Sequence, residues 1–282
     1  MSKIGLVIEG GGLRGIYTAG VLDSLMENDI YIPYVIGVSM GACNGASYIS
    51  RQIGRTKRAT LDYLHDKRYI SYRRLFKKET LFGMDFIFNE IPNELVPFDY
   101  KTYMESSQKF VVVTTDCSSG QAVYYDNKEI DKENKLLRAS SSLPLISNVV
   151  KYKGKELLDG GISDSIPVKK ALSDGNEKLV IILTQPSGYR KKLTKGMFMA
   201  RKLYRDYPKL VKAIESRHVF YNETLEYIER LELEGKALVI RPNEALKVKR
   251  AERNIEKLER CYEIGYEQMR MKLEELNEFL KK

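Results

Sequence analysis

A turn centred on a serine near the start of the chain has the composition needed for covalent chemistry. It consists of Gly37, Val38, Ser39, Met40 and Gly41, and it follows a short apolar run over residues 34–36. A serine in a G-x-S-x-G turn between a strand and a helix has its hydroxyl held out for attack. The two flanking glycines remove Cβ atoms that would crowd so sharp a bend. The motif predicts a serine hydrolase with Ser39 as the nucleophile.

A glycine-rich turn precedes the serine motif, directly after a strand-like apolar run over residues 4–8. Its residues are Gly10, Gly11, Gly12, Leu13, Arg14 and Gly15. Backbone N–H groups exposed at such a helix start can stabilise an oxyanion. The positive charge of Arg14 is unfavourable there, which indicates either a functional role or a salt bridge with an acid.

The glycine spacing also fits the dinucleotide-binding fingerprint G-x-G-x-x-G. That motif requires an acidic residue about 20 positions further on, at the end of the second strand. Ser39 and its turn occupy that place instead. A P-loop is excluded, because no Gly-Lys-Ser/Thr follows the glycines. A nucleotide- or anion-binding module using this turn remains the alternative function.

A nucleophilic serine needs a base, and two residues are candidates. Asp159, followed by Gly160 and Gly161, lies at the end of a predicted strand, although an Asp-Gly pair alone is typical of an ordinary turn. His218 would complete a triad in the chain order of α/β-hydrolases. However, only one strand precedes Ser39, and His218 lies in a charged helical stretch, so we interpret it as a surface residue.

Composition restricts the class of protein. The 282 residues are 43% hydrophobic, enough for one large domain or one domain with an appendage, and disorder is not expected. We expect neither a membrane span nor a secretion signal. Three cysteines without a C-x-x-C pair indicate a reducing compartment, with no disulfide framework or zinc site. We therefore expect a cytoplasmic protein.

The formal net charge of +9 favours anionic partners. Two basic segments, residues 51–78 and 190–217, also contain aromatic or other apolar side chains. Such segments are either solvated surface or a peripheral contact with an anionic membrane. An adaptor for membranes or nucleic acid with an inactive hydrolase core is a third hypothesis, disfavoured by the intact Ser39 and Asp159.

Hydrophobic periodicity predicts strands alternating with helices, and hence an α/β fold with a mostly parallel sheet. The predicted strands cover residues 3–9, 34–36, 109–115, 179–184 and 237–240. Residues 121–125 are predicted to be the hairpin partner of 109–115, and residues 151–158 to form another hairpin around Gly154. The predicted helices cover residues 13–28, 40–52, 221–233 and 249–281, with a short helix in 135–146 that ends before Pro144 and a further helix opened by Pro167. Residues 81–98 are predicted to form an irregular cap. The last hundred or so residues are predicted to be mainly helical.

Together these motifs resemble the patatin-like phospholipase family. The residues that carry the resemblance, in order, are 9–15 (EGGGLRG), 37–41 (GVSMG), 139–144 (ASSSLP) and 159–161 (DGG). The likeness covers roughly residues 4–185, and the remaining chain resembles the helical tail of bacterial members. Glu9 stands where the plant proteins usually carry aspartate.

The resemblance implies a three-layer α/β/α hydrolase domain over residues 4–185, with a mainly helical extension, 186–282, packed on it. It implies a catalytic dyad in which Asp159 takes the proton of Ser39 directly. The oxyanion hole would use N–H groups of Gly10, Gly11, Gly12 and Met40. The substrate would be an acyl ester of a phospholipid or other lipid. No metal, cofactor or nucleic acid is expected to take part.

Overall fold

A central sheet carries the residues that the motifs single out. The structure, a computed structural model, describes residues 3–76, 80–126, 133–193 and 196–281. Within these ranges the strands are β1 (Ile4–Ile8), β2 (Tyr34–Val38), β3 (Lys109–Asp116), β4 (Ala122–Asp126), β5 (Val150–Tyr152), β6 (Lys155–Asp159), β7 (Lys178–Ile182) and β8 (Ala237–Ile240).

The sheet is mostly parallel. Its hydrogen-bonded order is β5-β6-β3-β2-β1-β7-β8, and β4 pairs with β3 in addition. The pairs β1–β2, β2–β3, β1–β7 and β7–β8 are parallel, whereas β3–β4, β3–β6 and β5–β6 are antiparallel. The predicted α/β class with a mostly parallel sheet is confirmed.

Helices cover both faces of the sheet. They are α1 (Ile16–Glu27), α2 (Met40–Ile49), α3 (Arg55–Leu61), α4 (Tyr72–Phe76), α5 (Tyr100–Glu105), α6 (Lys135–Ser140), α7 (Val168–Ser173), α8 (Met197–Leu203), α9 (Pro208–Leu233), α10 (Ile255–Met271) and α11 (Leu273–Lys281). Short 3-10 turns follow β1 (Gly12–Gly15) and β6 (Gly160–Ile162), and a π-helix spans Phe86–Leu95.

Alternate strand residues feed two separate hydrophobic cores, as expected for side chains that point to opposite faces of a sheet. In β1, Leu6 and Ile8 belong to the core under α1, α2 and α10, while Val7 belongs to the core under α7 and α9. The other parallel strands alternate in the same way. The chain therefore forms three layers: helices, sheet and helices.

Several element boundaries differ from the predicted ones. The helix predicted to start at residue 13 begins at Ile16, after the 3-10 turn. The helix predicted over 221–233 begins at Pro208, where proline's fixed φ suits a first helical turn. The single helix predicted over 249–281 is wrong, since it divides at Lys272 into α10 and α11.

Of two proline-bearing segments, one departs from expectation. Residues 86–95, within the stretch predicted as irregular, form the π-helix and contain Pro92. Widened turns of this kind relax the backbone hydrogen-bond ladder that a proline interrupts. The short helix predicted to start at residue 135 and end before Pro144 ends at Ser140.

The part of the chain after residue 185 does more than add helices. It supplies β8, which pairs in parallel with β7, and α9, whose apolar side packs on the second face of the sheet. It also supplies α10, which packs on α1. A domain boundary near residue 185 stays a prediction.

Helices α1 and α10 lie unusually close because a glycine faces each backbone. A Cβ at Gly20 would lie 2.1 Å from the carbonyl oxygen of Tyr262, and one at Gly265 would lie 2.0 Å from that of Tyr17. The contact is reinforced by hydrogen bonds from the Tyr17 hydroxyl to Gln268 and from the Tyr262 hydroxyl to Asp23, each 2.8 Å long. Only glycine permits this helix separation.

We therefore expect Gly265→Ala to lower the free energy of unfolding by about 2 kcal/mol, since overpacking outweighs the gain in helix propensity. Urea denaturation measures the change. Glu263→Ala, at an exposed position of the same helix, is the matched control and should stay within about 0.5 kcal/mol of the unsubstituted protein. Equal stability of the two variants would contradict the close contact.

Candidate active site

Ser39 occupies a strained turn between β2 and α2. Its backbone has φ 56° and ψ −128°, a positive-φ conformation that costs a non-glycine residue about 1–3 kcal/mol. A Cβ at Gly37 would lie 2.7 Å from the carbonyl oxygen of Gly41, and one at Gly41 would lie 2.5 Å from that of Glu9. The two glycines thus let the helix start fold tightly against the ends of β1 and β2.

Strand β3 brings Asp159 to the same place. Val38, the last residue of β2, pairs with Val113 of β3, and Asp159, the last residue of β6, pairs with Thr114. Strand β4 pairs with residues 111–115 of β3, which overlap both the residues that pair with β2 and those that pair with β6. Strand β4 therefore lies on one edge of β3, and β2 and β6 share the other edge. The two strands therefore end facing each other along one edge of β3.

The serine-rich segment after α6 links the two strand ends. The N–H of Ser39 donates to the Ser140 hydroxyl at 2.8 Å, and that hydroxyl donates to the Val113 carbonyl at 2.7 Å. The N–H of Asp159 donates to the carbonyl of Ser142 at 2.9 Å. This segment was noted in the sequence only as part of the resemblance, and the structure shows that it positions both residues.

The carboxylate of Asp159 is almost completely buried. Its Oδ1 accepts a hydrogen bond from the N–H of Gly161 at 2.7 Å, and its Oδ2 has no hydrogen-bond partner. The Ser39 hydroxyl lies close enough to stabilise the charged carboxylate, without a hydrogen bond to Oδ2. One carboxylate oxygen therefore has its capacity to accept a proton unused.

Burial raises the pKa of Asp159 above its ordinary value. The positive charge of Arg217, the Ser39 hydroxyl and the N–H of Gly161 act in the opposite direction, without reversing it. Arg217 lies close by: a Cβ at Gly161 would lie 3.0 Å from its Nη2. There is also no room for a side chain at Gly160, since a Cβ there would lie 2.3 Å from the Val113 carbonyl oxygen.

The backbone N–H groups of the glycine turn differ in availability. That of Gly10 donates to the carbonyl of Ser165 at 3.4 Å, and that of Leu13 donates to the carbonyl of Arg250 at 3.0 Å. Those of Gly11 and Gly12, and that of Met40 at the start of α2, donate to no other described residue. The donors available for a ligand are therefore these last three.

Glu9 anchors the turn. Its buried Oε2 accepts from the N–H and the hydroxyl of Thr184, at 2.6 and 3.0 Å, and its Oε1 accepts from the Tyr221 hydroxyl at 2.5 Å. Arg14 has no ion pair among the described residues, so the salt bridge considered from the sequence is not formed. Burial lowers the pKa of Arg14, and its Nε has no hydrogen-bond partner.

The remaining candidates lie away from Ser39. The Nδ1 of His218 lies 3.0 Å from the carbonyl oxygen of Glu215 in its own helix, α9, and no hydrogen bond joins that ring to Ser39 or Asp159. Within the described ranges, no group of three or more His, Cys, Asp or Glu residues could hold a metal ion. Over the same ranges, every helix is too short or too polar to cross a membrane.

Sequence reasoning did not identify Tyr221, Thr184, Lys191, Arg217 or Arg250 as neighbours of the site. All follow residue 183 and belong to segments that carry no motif. His218 is a candidate base by its order in the chain, whereas its neighbour Arg217 is the residue that reaches Asp159. Only the tertiary packing of α9 and of the loop before α10 reveals these contacts.

Comparison with known proteins identifies the family of this chain. The family model described as "Patatin-like phospholipase" matches residues 6–172, and the model "Domain of unknown function (DUF6363)" matches residues 207–281. The structure is also similar to VipD from Legionella pneumophila, with a TM-score of 0.53 and 14% sequence identity, over 98% of this chain and 67% of that one.

Two curated proteins are similar in sequence. The uncharacterized protein YjjU of Escherichia coli (strain K12) is 34% identical over 197 residues, which are 66% of this chain and 53% of that protein. Lysophospholipase NTE1 of Debaryomyces hansenii is 28% identical over 187 residues, 64% of this chain and 12% of that protein. The chain thus spans about half of the first relative and a small part of the second. With the Patatin-like phospholipase model matching more than half of its length, the chain belongs to the patatin-like phospholipase family.

Proposed function

We propose that the protein is a serine hydrolase that cleaves acyl esters of phospholipids or other lipids through a dyad of Ser39 and Asp159. The observation that carries this proposal is the meeting of a strained serine with a buried carboxylate that has an unpartnered oxygen. An aspartate is a weak base in water, and desolvation makes it a stronger one. Membership of the family and the name of the lysophospholipase relative support the same chemistry.

In the first half of the reaction, the Ser39 hydroxyl oxygen attacks the ester carbonyl carbon and its proton passes to the Asp159 carboxylate. The carbonyl oxygen becomes an oxyanion, which we assign to the N–H groups of Gly11, Gly12 and Met40. The Gly10 N–H is already bonded to Ser165, so we assign that glycine to the turn's geometry. The ester oxygen then leaves with the proton from Asp159, and an acyl-serine remains.

In the second half, a water molecule attacks the acyl carbon and gives its proton to Asp159. The new oxyanion occupies the same three N–H groups, and the carboxylic acid leaves as the proton returns to Ser39. A mostly apolar cavity of about 80 Å³ lies beside Met40 and Cys43, and we assign it to the part of the acyl chain nearest the ester. Its other walls include Ala46, Ile87, Phe88, Ile91 and Leu137.

The nucleotide-binding alternative fits the same turn less well. The backbone of Gly12 is pressed against Arg250, since a Cβ at this glycine would lie 2.8 Å from that residue's carbonyl oxygen. The N–H groups of Gly10 and Leu13 are used within the protein. No acidic residue ends β2, where a ribose would need one.

We further propose peripheral contact with anionic membranes through α8. Phe198 is 80% exposed, Met199 54% and Leu203 57%, and the exposed Lys202 lies among them. Apolar side chains beside cations suit a lipid interface. In the other basic segment, 51–78, half of the described cations contact aromatic or acidic side chains of the fold: Arg51 lies over Tyr31, Arg55 over Phe98, Lys57 over Tyr262, and Arg68 pairs with Asp66 and Glu90. Lys77 and Lys78 lie outside the described residues.

A fluorophosphonate probe should label Ser39, and intact mass should show one adduct that Ser39→Ala abolishes. Asp159→Asn keeps the shape but removes the proton acceptor, so hydrolysis of a soluble ester should fall at least about 100-fold. His218→Ala should retain turnover, because that ring does not reach the site. Circular dichroism confirms folding. A dead His218→Ala variant beside an active Asp159→Asn variant would refute the dyad.

The decrease in activity at low pH, the acid limb of the pH–rate profile, should report the protonation of Asp159. Only the carboxylate can take the proton, so kcat/KM should fall as the pH drops through the raised pKa. The charge of Arg217 lowers that pKa, so Arg217→Gln should raise it and shift the limb to higher pH. Lys212→Gln, an exposed change on the same helix, should leave the limb in place. A limb unmoved by Arg217→Gln would show that Asp159 does not set it.

Membrane contact can be measured by co-sedimentation with vesicles containing phosphatidylglycerol. The protein should bind them better than phosphatidylcholine vesicles, and less as salt rises. Replacing Phe198 and Leu203 by serine should reduce binding, whereas Leu233→Ser, at an 89% exposed position on α9, should not. Equal binding by both variants would exclude α8 as the contact.

A further inference from the structure

Four cationic side chains converge beside the glycine turn and Asp159. Arg14 comes from that turn, Lys191 from the loop after β7, Arg217 from α9, and Arg250 from the loop before α10. The charges of the other three all act on Lys191. We call these four residues the cationic cluster. Lys191, Arg217 and Arg250 line an open pocket of about 450 Å³ together with Tyr189, Arg190, Lys192 and Leu193.

Among the described residues, the four cations of the cationic cluster have only two carboxylates close enough to affect them, Glu9 and Asp159. None of its side chains forms an ion pair or donates a hydrogen bond to another described residue, whereas Arg190 at the pocket pairs with Glu229. The Nε atoms of Arg14 and Arg217 are buried without a partner. Of the two neighbouring carboxylates, Glu9 already accepts three hydrogen bonds, and Asp159 faces Ser39. Burial desolvates Arg14, Lys191 and Arg217, although Arg250 is exposed, and desolvated cations need an anion.

The pKa shifts of Lys191 and Arg217 also indicate that an anion would stabilise the cationic cluster. Burial, with the charges of Arg217, Arg250 and Arg14, lowers the pKa of Lys191 to about 7. Burial and neighbouring cations also lower the pKa of Arg217. The Nζ of Lys191 lies 3.8 Å from the ring centroid of Tyr221. Lys191 therefore covers an aromatic face that the ammonium group of a ligand could otherwise use. Binding of an anion would relieve this repulsion.

The cationic cluster lies within reach of the reacting groups. Arg217 touches the Asp159–Gly161 turn, and the backbone of Arg250 contacts Gly12 and Leu13. The apolar cavity, by contrast, is bordered by α2. An ester held at Ser39 therefore has an apolar wall for its acyl chain and a separate, positively charged pocket for the other side of the molecule.

We propose that the cationic cluster binds the phosphate of a phosphate-monoester headgroup, so that the substrates are lipids of the phosphatidic or lysophosphatidic acid type. This proposal rests on the lipid hydrolase function proposed above. A phosphate monoester carries close to two negative charges and three acceptor oxygens, and guanidinium groups bind it in pairs of hydrogen bonds. The pocket lining contains no carboxylate that would hold the ammonium of a choline or ethanolamine headgroup.

Binding is tested without turnover by isothermal titration of the Ser39→Ala protein with glycerol 3-phosphate. Lys191→Gln and Arg250→Gln should each weaken binding at least about tenfold, since each removes a charge-assisted contact. Lys101→Gln, an exposed lysine on α5, should not change it. No measurable binding, or binding that these variants leave unchanged, would overturn the proposal. Inorganic phosphate that binds as tightly as glycerol 3-phosphate would indicate a free-phosphate site and overturn the lipid assignment.

Catalysis gives the second readout. In mixed micelles with equal acyl chains, kcat/KM should rank phosphatidic acid above phosphatidylglycerol, and phosphatidylglycerol above phosphatidylcholine. The ratio of the first to the last should fall at least about tenfold in the Lys191→Gln, Arg250→Gln double variant. Hydrolysis of all three lipids at equal rates would reject the headgroup site while the hydrolase stands. Hydrolysis of none, with glycerol 3-phosphate still bound, would reject the hydrolase and keep the anion site.

Discussion

The site depends on how three strands share one edge. Strand β3 is long enough to pair with β2 along its first part and with β6 along its last part, on the same edge. Because β2 arrives parallel and β6 antiparallel, their last residues meet head to head. A nucleophile and a base 120 positions apart in the chain are thus brought together by main-chain hydrogen bonds, which fix position more firmly than side-chain contacts between loops would.

Backbone strain and buried charge, both unfavourable, occur where these strands meet, and contacts with the neighbouring structure stabilise them. The positive φ of Ser39 is held by its N–H bond to Ser140 and by the start of α2. The buried charge of Glu9 is stabilised by three hydrogen bonds, and that of Asp159 by the Gly161 N–H and by Arg217. Strain and buried charge of this kind persist where many contacts of the surrounding fold hold the strained or charged group in place. Here the supporting groups come from both halves of the chain.

Much of this could be read from sequence, because the signals are local. Gly37 to Gly41 and Gly10 to Gly15 mark turns whose glycines have nowhere to place a Cβ, and the apolar runs before them predict strands. The π-helix over residues 86–95 and the break at Lys272 could not be read, since neither leaves a pattern distinct from its neighbours. The same holds for Arg217 and Lys191, which are ordinary charged residues on polar stretches until α9 packs against the sheet. Pairing of β6 with β3 was equally hidden, because strand order is a long-range property.

The glycine contact between α1 and α10 has a consequence for biosynthesis. The Tyr262 hydroxyl and its acceptor on Asp23 are separated by 239 residues. Helix α1 is therefore synthesised long before α10, the helix that covers it. Non-local contacts of this kind slow folding and leave apolar surface open to aggregation until they form. While the ribosome is still extending the chain toward α10, the face of α1 that α10 covers has no permanent neighbour, and a chaperone that shields this face would act where apolar surface is exposed.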